Sequence, residues 1–341
     1  CVSLFKVKMK NNRAVIIWLF TGFFLVFVMV VVGGITRLTG SGLSMADWKP
    51  IMGAIPPVNE GEWLDKFELY QQTPEFEKVN STFTLSEFKS IFWWEFIHRL
   101  LGRIIGIVFI VPFIFFWIKK KFDKVLLKKV CIIFVLGGLQ GLLGWYMVKS
   151  GLVDKPHVSH FRLAAHLLTA LSVMVYILWV IMDIVYPNRE SVHVKGLKKA
   201  AWVILILIVL QVTYGAFVAG LKAGFMYNTF PKMGANWLAP EVGEGGFTSL
   251  FSHGATVQFI HRILGIILML VAPLFWIWAR RQNVVGRQNR GLIFLNVSVV
   301  IQVLLGIFTL LFVVPVSLGV IHQAGSVVVL CSAVYLLHQS K

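Results

Sequence analysis

Apolar residues run along this chain in eight long blocks separated by short charged clusters, at roughly 14–36, 92–118, 130–148, 161–186, 200–221, 255–279, 292–314 and 317–338. Each block holds about 18 or more nearly uncharged residues, enough for a helix to cross a hydrocarbon layer about 30 Å thick. Backbone groups in lipid must be satisfied within their own segment, so the blocks predict transmembrane helices and an all-α integral membrane fold. The polar stretches between them are unequal: 37–91 is long and 223–254 intermediate, while 149–160 and the turn around Pro315 are short. Within 60–80, Trp63, Phe67 and Tyr70 share one helical face among acids. That pattern predicts a helix lying at the membrane interface, with a lid over a site as the alternative. "TLSE" (84–87) matches a capping box, so the second span begins as helix before it reaches the membrane.

Composition supports this reading. The 341 residues are 57% hydrophobic and 14% charged, against about 45–50% and about a quarter in soluble domains. A net charge of +17 could point to nucleic acid, so the positions of the charges decide. Lys6, Lys8, Lys10 and Arg13, the six lysines of "KKKFDKVLLKK" (119–129), Arg189 with Lys195, Lys198 and Lys199, then Arg280, Arg281, Arg287 and Arg290, and finally Lys341 account for 19 of the 32 basic residues. All fall between alternate pairs of spans, the positive-inside pattern, which puts both termini on the cytoplasmic or matrix side. No groove-reading motif accompanies them, so the expected partner is the lipid bilayer and not nucleic acid. The short stretch before the first span favours a bacterial inner membrane over a mitochondrial one. Cys1, Cys131 and Cys331 form no CxxC and no external pair, so neither a disulfide framework nor a thiolate metal site is expected.

The two halves of the chain repeat. "EFIHRLLGRIIGIV" (95–108) returns as "QFIHRILGIILML" (258–270), and "LQGLLGWYMV" (139–148) as "IQVLLGIFTL" (301–310). The loops repeat more weakly, with Gly34/Gly215, Pro50/Pro231 and Gly53/Gly234 at one offset. Four spans per half give both halves the same orientation, a parallel internal repeat. The expected architecture is two pseudo-symmetric four-helix bundles: an N-terminal bundle, 1–190, carrying the long outer loop 37–91, and a C-terminal bundle, 191–341.

Four of the nine histidines lie within spans: His98, His166, His261 and His322. Counted from the basic or polar inner ends of their helices they sit 19 to 22 residues deep, so all four lie at one height towards the outer side. A single such residue reads as polar glue between helices. Four at matched depth, two per repeat, call for another explanation, because intramembrane ionisable groups are costly. Two imidazoles facing each other across a bundle suit axial ligation of a haem iron. Small residues one turn on (Gly102, Ala170, Gly265, and Gly325 with Ser326) leave room for a flat ligand. Arg99 and Arg262 follow two of the histidines and could hold propionates. Zinc fits less well, since two histidines per bundle fall short of its usual ligand count.

The halves differ at one place that bears on chemistry. Glu95 precedes His98 by three residues where Gln258 precedes His261, and Arg162 lies one turn before His166 where Leu318 precedes His322. A carboxylate beside one ring could accept protons or stabilise positive charge on an oxidised carbon. The plainer reading is that Glu95 orients a histidine or pairs with Arg99 or Arg162. His157 and His160 read as surface residues or propionate neighbours, and His193 and His338 as solvated at the inner face. Arg37, Arg103 and Trp48 read as helix-end anchors or as lining for the outer haem edge.

At these residues the chain resembles the haem A synthase family, in its cysteine-poor branch. The resemblance spans nearly the whole chain and rests on "VVGGITRLTGSGLSMADWKPIMGAIPP" (31–57), "EFIHRLLGR" (95–103), "SHFRLAAHL" (159–167), "QFIHRILG" (258–265) and "GVIHQAGSVV" (319–328). It implies oxidation of the ring-D methyl of haem O to a formyl group, giving haem A for cytochrome oxidase. It further implies His261 and His322 as ligands of a resident haem b, His98 and His166 as ligands of the substrate haem, and Glu95 as the catalytic carboxylate. Implied partners are haem O, an electron-transfer partner, haem O synthase and oxidase assembly factors. The rival readings are a bis-haem cytochrome b that only carries electrons and a transporter with parallel repeats.

Overall fold

The structure, a computed structural model, describes residues 2–46, 52–151, 158–187 and 194–340. Among them lie eleven α-helices and no β-strand: α1 (Val2–Leu38), α2 (Glu60–Gln71), α3 (Pro74–Lys78), α4 (Leu85–Ile118), α5 (Lys124–Gly151), α6 (His160–Val185), α7 (Leu197–Gly220), α8 (Ser249–Ser252), α9 (Gly254–Arg281), α10 (Gly286–Leu311) and α11 (Val316–Gln339). Eight of these (α1, α4, α5, α6, α7, α9, α10 and α11) are long and apolar enough to span a membrane.

Local chemistry sets several boundaries. Thr84 Oγ1 accepts from Glu87 N while Glu87 Oε2 accepts from Thr84 N at 2.8 Å, the expected capping box, so α4 starts well before its apolar stretch. Thr73 caps α3 in the same way and Pro74 opens it, which splits the expected 60–80 helix in two. Asp123 Oδ1 accepts from Leu126 N at 2.8 Å at the start of α5.

In the first half α1 packs on α4 and α6, and α5 on α6; in the second, α7 packs on α9 and α11, and α10 on both. This is compatible with the expected repeat of two bundles. The halves meet through α1, α6, α7 and α11, where Met174, Ile204, Ile208 and Leu330 are buried in one continuous core. Lipid tails are as apolar as leucine, so helix association has to come from close packing and polar pairs. Gly220 of α7 lies so close to His160 of α6 that a side chain there would collide with it. Outward-facing Ile107, Val111, Val135, Leu274 and Phe294 stay exposed, as lipid contact requires.

Two expectations are corrected here. The apolar face of α2 does not rest on lipid: Trp63 and Tyr70 are buried against Phe88, Phe92 and Phe96 of α4, because α4 extends outward far enough to receive them. His338 is not solvated but fully buried. Its Nε2 lies 3.0 Å from Asp183 Oδ1, its ring meets Trp179 edge-on, and Lys129 Nζ donates to Asp183 Oδ2 at 2.6 Å. That network ties α5, α6 and α11 together at the ends away from the histidine pairs. His157, His193 and Trp48 lie outside the described residues.

Candidate functional site: two histidine pairs in the outer half of the bundles

All four intramembrane imidazoles are half-buried, as suits rings that line a slot and do not fill a core. His261 on α9 and His322 on α11 face each other with ring centres 6.5 Å apart and planes at 87°. Two metal–imidazole bonds of about 2 Å each, with both ring radii added, come to roughly 6.5 Å, so the gap suits one shared metal ion. His98 on α4 and His166 on α6 are near enough to act on each other electrostatically. Among the described residues no group of three or more His, Cys, Asp or Glu gathers.

Each ring rests on a glycine of a neighbouring helix. A Cβ on Gly144, Gly215 or Gly306 would meet Cε1 of His166, His261 or His322 at 3.0, 3.1 or 2.8 Å. One on Gly33 would stand 3.6 Å from His98 Nε2. Three glutamines, each four residues before one of those glycines, reach the imidazoles. Gln140 Nε2 lies 3.3 Å from His166 Nε2, Gln211 Nε2 3.5 Å from His261 Nε2, and Gln302 Nε2 3.1 Å from His322 Nδ1. His261 Nδ1 also lies 3.2 Å from the Gln211 carbonyl. A carbonyl only accepts, so Nδ1 carries the proton there and Nε2 keeps the lone pair that a metal needs. The sequence reading passed over these residues; a glutamine four positions before a glycine in three apolar spans is the signal that would have found them.

Glu95 is 2% exposed and fully engaged. Its Oε2 accepts from Ser44 Oγ and from Met45 N, both at 2.8 Å, and its Oε1 pairs with Arg99. Arg99 also donates to Met45 O at 3.1 Å. Arg162 lies elsewhere, its guanidinium 5.0 Å from the centre of the Tyr146 ring. In the other half Gln258 donates to Tyr227 O at 3.1 Å. Arg262 donates to the carbonyls of Tyr227, Thr229 and Lys232, which leaves its buried Nε for a further acceptor. The two arginines therefore clamp the outer loops over the histidine pairs. Arg37 donates to Ala219 O and Gly220 O, anchoring the end of α7 from across the halves. The His160 ring packs against Phe161 and Phe217 at that junction.

The outer loop adds a carboxylate that sequence reasoning missed. Glu75 in α3 is 8% exposed and its Oε2 has no hydrogen-bond partner. Burial pushes it up to about 7, although Lys222 and Arg37 pull the other way. Nearby Tyr70 is fully buried and accepts from Asn80 Nδ2 at 2.7 Å; burial raises its phenol to about 12.

Fold and site together define a polytopic membrane protein whose eight spanning helices are compatible with a two-bundle repeat and carry two pairs of imidazoles. The family model COX15-CtaA, described as a cytochrome oxidase assembly protein, matches residues 16–334. The chain belongs to this family. It is 46% identical to the haem A synthase of Flavobacterium psychrophilum over 97% of this chain and 99% of that protein. It is 44% identical to the haem A synthase of Nitrosospira multiformis, over 97% and 95%, and 44% identical to that of Parvibaculum lavamentivorans, over 96% and 95%.

Proposed function

We propose that this chain is a haem A synthase that oxidises the ring-D methyl of haem O to a formyl group and so makes haem A for cytochrome oxidase. The observation that carries the reading is the His261–His322 pair, spaced for one iron, in a chain that matches haem A synthases over 97% of its length. In its C-terminal bundle, 191–341, these two rings would hold a resident haem b, and the buried Arg262 Nε would donate to a propionate. Its N-terminal bundle, 1–190, takes the substrate haem between His98 and His166. The resident haem would supply one-electron redox chemistry when bound.

The residues around the substrate act by position. Glu95, fixed by Ser44, Met45 and Arg99, presents a preorganised negative charge to the reacting edge, where positive charge develops on the carbon being oxidised. The outer loop with α2 and α3 covers that edge and limits water there. The farnesyl tail of haem O lies along lipid-facing apolar helix surface. Haem O synthase and oxidase assembly factors, as neighbours in the membrane, deliver the substrate and receive the product. Both termini lie on the inner side of a bacterial inner membrane, as the basic clusters indicate.

Incubating the purified protein with haem O, a reductant and air, then extracting the haem, tests this reading. Formyl haem is the expected product. Bound haem with no formyl product would instead favour a bis-haem electron carrier.

A further inference from the structure

Three of the four imidazoles are held in the same way, and the exception falls at the substrate site. His166, His261 and His322 each have a glutamine amide within 3.5 Å of a ring nitrogen. Each is also pressed against a glycine so closely that a methyl group there would crowd the ring. His98 has neither feature. No hydrogen bond joins it to any described residue, and the glycine beneath it, Gly33, leaves ordinary contact space.

The residue that takes the missing glutamine's place can be identified from the repeat. Gly265 and Gly102 each lie four residues after their histidine. Beside Gly265 stands Gln211 Nε2, 3.4 Å from where a Cβ would be; beside Gly102 stands Met29 Cε, at 3.5 Å. Gln211 is four residues before Gly215, and Met29 four before Gly33; by its contact with His98 the structure makes Gly33 the counterpart of Gly215, one residue before the Gly34 that the sequence repeat pairs with it. A thioether neither donates as an amide does nor accepts strongly, so it leaves the imidazole without a directional partner.

The other glutamines have something left to offer. Oε1 of Gln140, of Gln211 and of Gln302 is buried without a partner. The amides of Gln140 and Gln211 therefore present either a donor or, after a half-turn, an acceptor to their rings, whereas Gln302 is held with its donor toward His322, whose backbone carbonyl accepts from the same Nε2 at 2.8 Å. Partners of this kind fix the tautomer and orientation of an imidazole; for His166 and His261 the atom they meet is Nε2, so the amide holds the ring in place until a metal takes that nitrogen.

We propose that Gln140, Gln211 and Gln302 are positioning residues for His166, His261 and His322, and that Met29 leaves His98 free to turn, making it the ligand released when the product haem departs. This rests on the proposed function and deepens it: a resident haem needs two fixed rings, and a haem that must be exchanged needs one that lets go.

The test uses the full-length protein in detergent, loaded with haem b and haem O, and an excess of a haem-scavenging apoglobin. Extracting the transferred haem identifies its site, since haem b and haem O differ chemically. Met29→Gln is expected to slow transfer of haem O by about tenfold or more while haem b transfer stays unchanged; Gln211→Met is expected to speed haem b loss by a similar factor and shift its midpoint potential. Met29→Leu, which removes sulfur without adding an amide, should exchange haem O as the unaltered protein does. If Met29→Gln fails to assemble, Gln302→Met carries the decision through haem b loss. Unchanged haem O transfer in a folded Met29→Gln, or unchanged haem b transfer in both glutamine variants, overturns the inference and leaves the proposed function intact. Failure of the unaltered protein to take up either haem overturns the proposed function itself.

Discussion

Glu95 and Gln258 hold equivalent places in the two halves, yet they bond their outer loops with opposite polarity. Glu95 accepts from the Met45 N–H, whereas Gln258 donates to the Tyr227 carbonyl. The loop over each histidine pair is thus matched to the residue beneath it. The difference also places a fixed negative charge, paired with Arg99, in the N-terminal half alone of these two positions.

Replacing Glu95 with Gln keeps the shape and removes the charge. Turnover of haem O should fall by about 10²-fold or more, the scale for losing one preorganised electrostatic contact. Bound haem, measured by extraction, should be retained. Full turnover in Glu95→Gln would reduce this residue to a loop anchor.

Glu75 makes stability depend on pH. Its carboxyl sits at about 7 in the folded protein against 4.5 ordinarily, because burial disfavours its charged form. Between those values the folded state holds a proton that the unfolded chain has lost, so stability falls as pH rises from about 5 to about 7 and then levels. The loss is on the order of 3 kcal/mol. Thermal unfolding in detergent across this range should show it in the unaltered protein, and Glu75→Gln should flatten the dependence.

The ends of α5, α6 and α11 away from the histidine pairs depend on Asp183, which meets both Lys129 and His338. Asp183→Asn leaves a largely sequestered lysine without its counter-charge and should cost about 2 kcal/mol, less than a fully buried pair because water reaches Lys129. A lowered unfolding temperature with an unchanged haem spectrum is the expected result. Lost haem binding would mean that this network reaches the outer site.

Much of this was legible in the sequence. Runs of apolar residues place all eight spans, because lipid leaves helices few alternatives. Thr84 and Glu87 mark the start of α4 through a local capping rule. The four histidines and the Glu95/Gln258 difference show themselves because polar residues are rare in such spans. Contacts between elements were less accessible. Gln211 reaches His261 from another helix, and nothing in a single helix's periodicity reveals that. His338, close to a charged chain end, reads as solvated until Asp183 and Trp179 are seen to enclose it. Trp63 and Tyr70 show an apolar face, but only the outward extension of α4 decides that protein and not lipid covers it.

The most direct measurement is the absorption spectrum and haem content of the purified protein beside its His261→Ala variant. The account predicts a Soret band and extractable haem b in the first, and loss of that haem in a variant that is still folded and embedded in the membrane. A protein without a Soret band, or a His261→Ala variant that keeps its haem b with an unchanged spectrum, would contradict it.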